Sequence, residues 1–201
     1  MPVTETALKV AEIASESAEA AKVLDAAEIA QRLVAKRLND FAAGNDTVWF
    51  DSLKRAETIE RLRNVHSWIG EINPNFDQFD VRSPYCRNCG GCTISVYSRL
   101  ENVGQFRATD MNITYDEQME AIIGKKFLEM TPEAIEQYML DRGSGAHEII
   151  GIERYSGPGH WFNVANIDGR IVAIDGQNGT ICGWPPKKYG GVSKWEISVR
   201  L

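Results

Sequence analysis

The strongest constraint on this chain is a hairpin. Residues 159–179 read GHWFNVANIDGRIVAIDGQNG, with two apolar, β-rich runs, His160 to Ile167 and Arg170 to Asp175, separated by Asp168-Gly169. That dipeptide tolerates the positive φ angles of a two-residue type I′ turn, so the stretch is expected to form a tight antiparallel hairpin. Pairing Ile167 with Arg170 sets Phe162 opposite Asp175 and His160 opposite Gln177. Side chains alternate faces, so His160, Asp175 and Gln177 share one face. His160 and Asp175 then lie on a diagonal of roughly 7–8 Å between backbones, within reach of a hydrogen bond. A catalytic imidazole needs such a carboxylate to fix its tautomer while the other ring nitrogen serves a nucleophile. The same pair at a strand end can also be purely structural, and a nucleophile elsewhere would decide between the two. Trp161 points to the other face and reads as core.

Composition narrows the remainder. The 201 residues carry a net charge of −6 with no lysine or arginine cluster, which argues against a nucleic-acid surface. With 43% hydrophobic residues the chain can bury a real core, and no apolar run approaches a membrane span. We expect a soluble chain without a secretory leader, since the first residues are alanine-rich and acidic. The stretch from Thr4 to about Phe41 has the composition of a helix, and Gly44-Asn45-Asp46 breaks it. The sequence thus divides into an N-terminal helical segment, 1–45, and a larger domain, 46–201. A second helix is expected from about Thr47 to Gly70, with His66 at the core or its boundary. His147 reads as an ordinary surface histidine, because nothing acidic is placed to orient it.

The second chemical stretch is YCRNCGGCTISVYSRLEN, Tyr85 to Asn102. Cys86, Cys89 and Cys92 are followed by Ile94, Val96 and Leu100 at the spacing of a short amphipathic helix, which sets Cys92 at a helix N-terminus. There the macrodipole and free backbone N–H groups stabilise a thiolate and can hold an oxyanion. Gly90 and Gly91 are poor helix openers, so Cys92 is the first choice of nucleophile and Cys89 the second. The C-x-x-C-x-x-C run also opens metal sites, with Cys182 as a possible fourth thiolate, but the histidine–carboxylate hairpin would then have no task. Four cysteines also permit disulfides. We expect no metal and no cofactor.

Asn88 to Thr93, NCGGCT, is similar to the nucleophile segment of papain-like cysteine enzymes. More specifically, Asn88-Cys89-x-x-Cys92, GHWFNVANIDG and IDGQNG together resemble the papain-fold toxin domain of bacterial polymorphic toxins, which is related to effectors that deamidate glutamine side chains. The resemblance covers about residues 73–201, including the trailing WPPKKYGGVSKWEISV. It implies an α+β, papain-like fold: a central nucleophile helix packed on an antiparallel sheet, preceded by N-terminal helices. It also implies a Cys-His-Asp triad of Cys92, His160 and Asp175, delivery from a bacterium into the cytoplasm of a target cell, a target protein bearing a reactive glutamine, and a cognate immunity protein. Asn88 lies where an amide can help hold an oxyanion, and Gln177 can orient the imidazole or line the pocket. A turn-forming role for Asn88 remains equally open.

The rest supplies structure. A short helix is expected from Thr114 to Ile123. Thr131-Pro132 starts another that Gly143 ends. Strands are expected at Glu148 to Glu153 and Trp195 to Val199. Helices lead and strands trail, the α+β order. The expected reaction is glutamine deamidation through a thioester. A cysteine protease with the same triad and, behind it, a non-enzymatic metal-binding module are the alternatives.

Overall fold

A computed structural model describes residues 22–23, 26–42, 47–110 and 112–199. The elements are β1 (Lys22–Val23), α1 (Ala26–Ala42), α2 (Thr47–Arg63), α3 (Val65–Trp68), α4 (Cys89–Leu100), β2 (Phe106–Arg107), α5 (Asp116–Ile123), β3 (Lys126–Glu129), α6 (Pro132–Arg142), β4 (His147–Arg154), β5 (His160–Ile167), β6 (Arg170–Asp175), β7 (Thr180–Gly183) and β8 (Val192–Val199). Six strands form an antiparallel sheet in the order β3-β8-β4-β5-β6-β7. The fold is α+β, with helices on both faces of that sheet.

The expected hairpin is present in the expected register. Ile167 pairs with Arg170, and the ladder runs to Asn163 opposite Ile174. Asp168 and Gly169 have φ of 52° and 85°, both in the left-handed region that a type I′ turn requires. Thr131 caps α6 by accepting from the Ala134 N–H at 3.2 Å, with Pro132 at the first helical position.

The α4 helix is the centre of the molecule: eleven of its twelve residues are buried, all but Arg99. On one side Cys92, Val96 and Leu100 pack against Ala165, Val172 and Ile174 of the sheet. On the other, Ile94 and Tyr97 meet Ile29 and Leu33 of α1 and Met119 and Ile123 of α5. The opposite sheet face is covered by α6, whose Ile135 and Met139 join Ile150, Phe162, Val164 and Ala173. Fully burying side chains of this size stabilises the fold by about 1.5–3 kcal/mol each relative to leaving them exposed.

Three local expectations change. The N-terminal helix does not run unbroken to Phe41. Lys22 and Val23 pair in parallel with Phe106 and Arg107, and the helix begins only at Ala26; residues 4–21 lie outside those described. The helix expected from Thr47 to Gly70 breaks at Asn64 into α2, α3 and a 3-10 turn, Ile69–Glu71, and His66 on it is exposed. The central helix starts at Cys89, so Gly90 and Gly91 sit inside its first turn. The reason is close approach: a Cβ at position 90 would lie 2.1 Å from the Ile113 carbonyl oxygen, and glycine's low helix propensity yields to that packing.

Candidate active site

The α4 helix and the hairpin meet at one end of the sheet. By strand alternation His160 and Asp175 belong with Phe162 and Ala173 on the α6 face, while α4 packs on the opposite face against Ala165 and Ile174. The face that His160 and Asp175 share therefore turns away from α4. Contact is made past the end of β5, where the first residue of the helix reaches the first residue of the strand.

That first helical residue is Cys89. Its thiol pairs with the His160 ring and receives the Trp161 backbone N–H. The His160 Nε2 lies 3.1 Å from Asp175 Oδ2, which leaves Nδ1 as the ring nitrogen for the thiol. Burial would raise the Cys89 pKa, but its bond to His160 and that ring's charge carry it below the ordinary thiol value. Burial would likewise lower His160. The bonds to Asp175 and Cys89 outweigh it and raise the imidazole to about 9. Asp175 is buried too, yet His160, Lys188 and Tyr189 hold its carboxyl well below the usual range. These directions favour a thiolate beside an imidazolium, oriented by a carboxylate.

Cys92, one turn on, lies apart from this pair. It is fully buried in the cluster under the sheet, and its Sγ donates to Asn88 Oδ1 at 3.3 Å. Burial first, then the neighbouring Cys89 and Asp175 charges, push its pKa well up, which keeps it a neutral thiol. A helix advances about 100° per residue, so two cysteines three apart cannot both stand at the same angle toward the hairpin end.

Residues 87–180 match the family model described as papain fold toxin 1, glutamine deamidase. This segment, a little under half of the chain, is similar to a papain-fold toxin domain. No curated protein and no solved structure matches the chain. The matched segment contains Cys89, Cys92, His160 and Asp175.

The two amide side chains expected near the site hold its frame together. Asn88 is fully buried; its Nδ2 donates to the Thr109 carbonyl at 2.7 Å, and its Oδ1 accepts from Cys92 and from Gln177 Nε2 at 3.4 Å. That amide is committed inside the protein, and Gln177 reaches Asn88 rather than His160. The Gln177 backbone N–H donates to Asp175 Oδ1 at 3.0 Å. Gly176 lets this loop press on the helix, since a Cβ there would lie 2.8 Å from Val96 and 3.0 Å from the Cys92 carbonyl oxygen.

A cleft of about 310 Å³ opens over Cys89 and His160, lined also by Trp161, Asp116, Glu153 and Glu196. Lys194 lies 2.8 Å from Glu196 and 3.6 Å from Glu153. Burial raises the carboxyls of Asp116 and Glu196, and repulsion from neighbouring carboxylates, Glu153 among them for both, adds to it.

Sequence reasoning missed most of what surrounds Asp175. Its Oδ2 accepts from Asn178 Nδ2 at 2.8 Å, from Lys188 Nζ at 3.0 Å and from the Tyr189 hydroxyl, in addition to His160. Asn178 was within reach, being three residues on in a turn where side-chain amides bond locally. Lys188 and Tyr189 lie on the 3-10 turn Lys187–Tyr189 beyond β7, outside the matched segment, and no spacing ties them to Asp175. His147 was misread as well. It is nearly buried, with its Nε2 3.2 Å from Glu101 Oε1 and its ring 5.6 Å from that of Tyr97.

The four cysteines are free thiols pointing to separate partners, Cys86 to the Asp77 carbonyl at 3.1 Å, Cys89 to His160 and Cys92 to Asn88, while Cys182 is half-buried. Among the described residues, no group of three or more His, Cys, Asp or Glu side chains is placed to hold a metal ion, and no helix is long and apolar enough to cross a membrane.

Proposed function

We propose that this chain is a toxin that deamidates glutamine side chains of a target protein, with Cys89, His160 and Asp175 as its triad. The observation that carries the proposal is the thiol of Cys89 against His160, whose other nitrogen faces a buried carboxylate. The Cys89 thiolate attacks the carboxamide carbon of a glutamine side chain. The oxyanion forms at the helix N-terminus, where the Cys89 backbone N–H has no intrahelical acceptor. His160 gives its proton to the departing nitrogen, and ammonia leaves a thioester. Water, deprotonated by His160, then releases glutamate and restores the thiol. The sum is one water consumed and one ammonia released, and the target gains one negative charge.

Asp116, Glu153 and Glu196 give the cleft an acidic lining. Substrate segments with neutral or basic residues beside the glutamine suit that lining better than acidic ones. Residues 46–201 carry this chemistry in our reading, and α1, from the 1–45 segment, buttresses it through Ile29 and Leu33. Delivery into the cytoplasm of a target cell and a dedicated immunity protein in the producer complete the proposed biology.

The test is mass spectrometry of target-cell lysate treated with wild type, Cys89→Ala or Cys92→Ala. Glutamine-to-glutamate conversion with wild type and Cys92→Ala, lost with Cys89→Ala, is the expected result. New chain termini in place of conversion would make the enzyme a protease. Conversion that survives Cys89→Ala would remove Cys89 from the mechanism.

A further inference from the structure

Among the donors on Asp175 one is a cation. The Lys188 Nζ sits 3.0 Å from Asp175 Oδ2, 3.3 Å from Asn178 Oδ1 and 2.5 Å from Thr180 Oγ1, and 4.8 Å from the centre of the Tyr189 ring. A lysine is a flexible four-carbon arm with a strongly hydrated head, and fastening it at four points on a partly exposed surface costs side-chain entropy. It shares the very oxygen that accepts from His160 Nε2. Two cations on one anion also repel each other, so each is held less firmly than it would be alone.

We propose that Lys188 is a positioning residue of the triad: its ammonium group shares Asp175 with His160, fixing the carboxylate and neutralising part of its charge. The inference rests on the triad reading given above. Its consequence concerns proton transfer. With Lys188 in place, His160 releases its proton to the leaving nitrogen more readily than an imidazole facing an uncompensated carboxylate. Without it the imidazolium is stabilised further, and His160 becomes a poorer acid.

Other charged and titratable groups surround the ring and must be held constant. Cys89 of α4 and Tyr189 touch it directly, and Cys182 of β7 and Arg154 of β4 lie behind Asp175 and Tyr189. From the cleft come Asp116 of α5, Glu153 of β4, and Lys194 and Glu196 of β8. Replacing Lys188 alone leaves all of these in place.

The experiment is an NMR titration of the protein carrying 13C-labelled histidine, whose three histidines are assigned by single substitution. Lys188→Met is expected to move the His160 midpoint to higher pH by about one unit, the size of shift that a nearby charge produces. Lys188→Arg, which keeps the cation, should leave it within about a third of that shift. A clamp that only holds the loop would lower thermal stability in both variants and leave the midpoint where it is, and that result overturns the proposal. Should Lys188→Met fail to fold, Lys188→Gln carries the same test, with the shift expected and its absence fatal. The titration does not depend on turnover, so it separates from the triad reading. Loss of Cys89 without loss of deamidation would sink the triad, whereas an unmoved midpoint sinks only the role of Lys188.

Discussion

Two histidines in this protein face a buried carboxylate, and the difference between them is the ground for proposing one as catalytic and the other as structural. His160 lies 3.1 Å from Asp175 and His147 lies 3.2 Å from Glu101. Each carboxylate also answers a lysine, Lys188 at 3.0 Å and Lys36 at 2.7 Å. In each, burial would raise the carboxyl and the paired cationic groups bring it well below its usual range. The contrast is on the second ring nitrogen. His147 Nδ1 lies 3.2 Å from the Gly145 carbonyl oxygen, so that ring faces fixed acceptors on both sides. His160 turns its second nitrogen to the Cys89 thiol under an open cleft. A histidine–carboxylate pair is thus a hinge of chemistry only when the other nitrogen is left for a group that reacts.

The largest effects should fall on that free nitrogen and its thiol. Cys89→Ala and His160→Gln are each expected to lower the deamidation rate by about 10³-fold or more, because members of a triad act as a unit. His147→Gln should leave the rate within about threefold of wild type while lowering thermal stability. Rates from ammonia release, set beside melting curves, check both statements. A His147→Gln enzyme as inactive as His160→Gln would erase the distinction between the two pairs.

The carboxylates should differ in kind rather than only in degree. Asp175→Ala removes the orienting group and is expected to slow turnover by about 10²-fold, the usual size of a general acid–base contribution. Glu101→Gln removes the anion between Lys36 and His147, and is expected to cost about 1–3 kcal/mol of stability, typical of a hydrogen bond to a charged group that leaves its partner buried. Denaturant unfolding of the second variant, with its rate measured below the transition, tells these apart. An unstable but catalytically normal Glu101→Gln is the outcome that fits.

How much of this was legible in the sequence follows from where each interaction is encoded. Asp168-Gly169 sets its own turn, and the alternation on either side sets the register, so the His160–Asp175 pair could be read from about sixteen consecutive residues. The start of the central helix could not. Whether Cys89 or Cys92 opens it depends on the Ile113 backbone pressing on Gly90 from twenty-three positions away, and local propensity pointed to Cys92 where the helix begins at Cys89. Glu101 against His147 and Lys188 against Asp175 are likewise contacts between loops and strands that no period in the chain records. Local geometry was readable, and the long-range contacts that choose the partner were not.

The pH dependence sharpens the contrast from another side. The His160 pKa is raised from 6.5 to about 9, so its contribution to stability is complete below pH 6.5 and is lost as pH rises through about 9. Asp175 is depressed from 3.8, so its contribution is present above that value and is lost as pH falls below it. Turnover should fall on the alkaline side with a midpoint near pH 9, where the imidazolium that protonates the leaving nitrogen disappears. His147→Gln should leave this limb unmoved. A limb near pH 6.5 in wild type would mean that Asp175 and Cys89 do not hold the His160 proton.

The smallest expected effect lies at the cleft wall. Glu153 and Glu196 both face Lys194, which answers only part of their charge, and the surplus is negative next to Cys89 and His160. Glu153 is mostly exposed, so water and salt screen it, and an exposed charge contact contributes about 0.2–1 kcal/mol. Glu153→Gln is therefore expected to raise KM for a glutamine peptide flanked by lysines by about twofold, with kcat unchanged. The same peptide flanked by glutamates should bind better to the variant than to wild type. Added salt should shrink both differences, because screening acts on exposed charges first. A KM that ignores both the flanking charge and the substitution would show that the acidic wall does not touch the substrate, and would leave recognition to the apolar part of the cleft around Trp161.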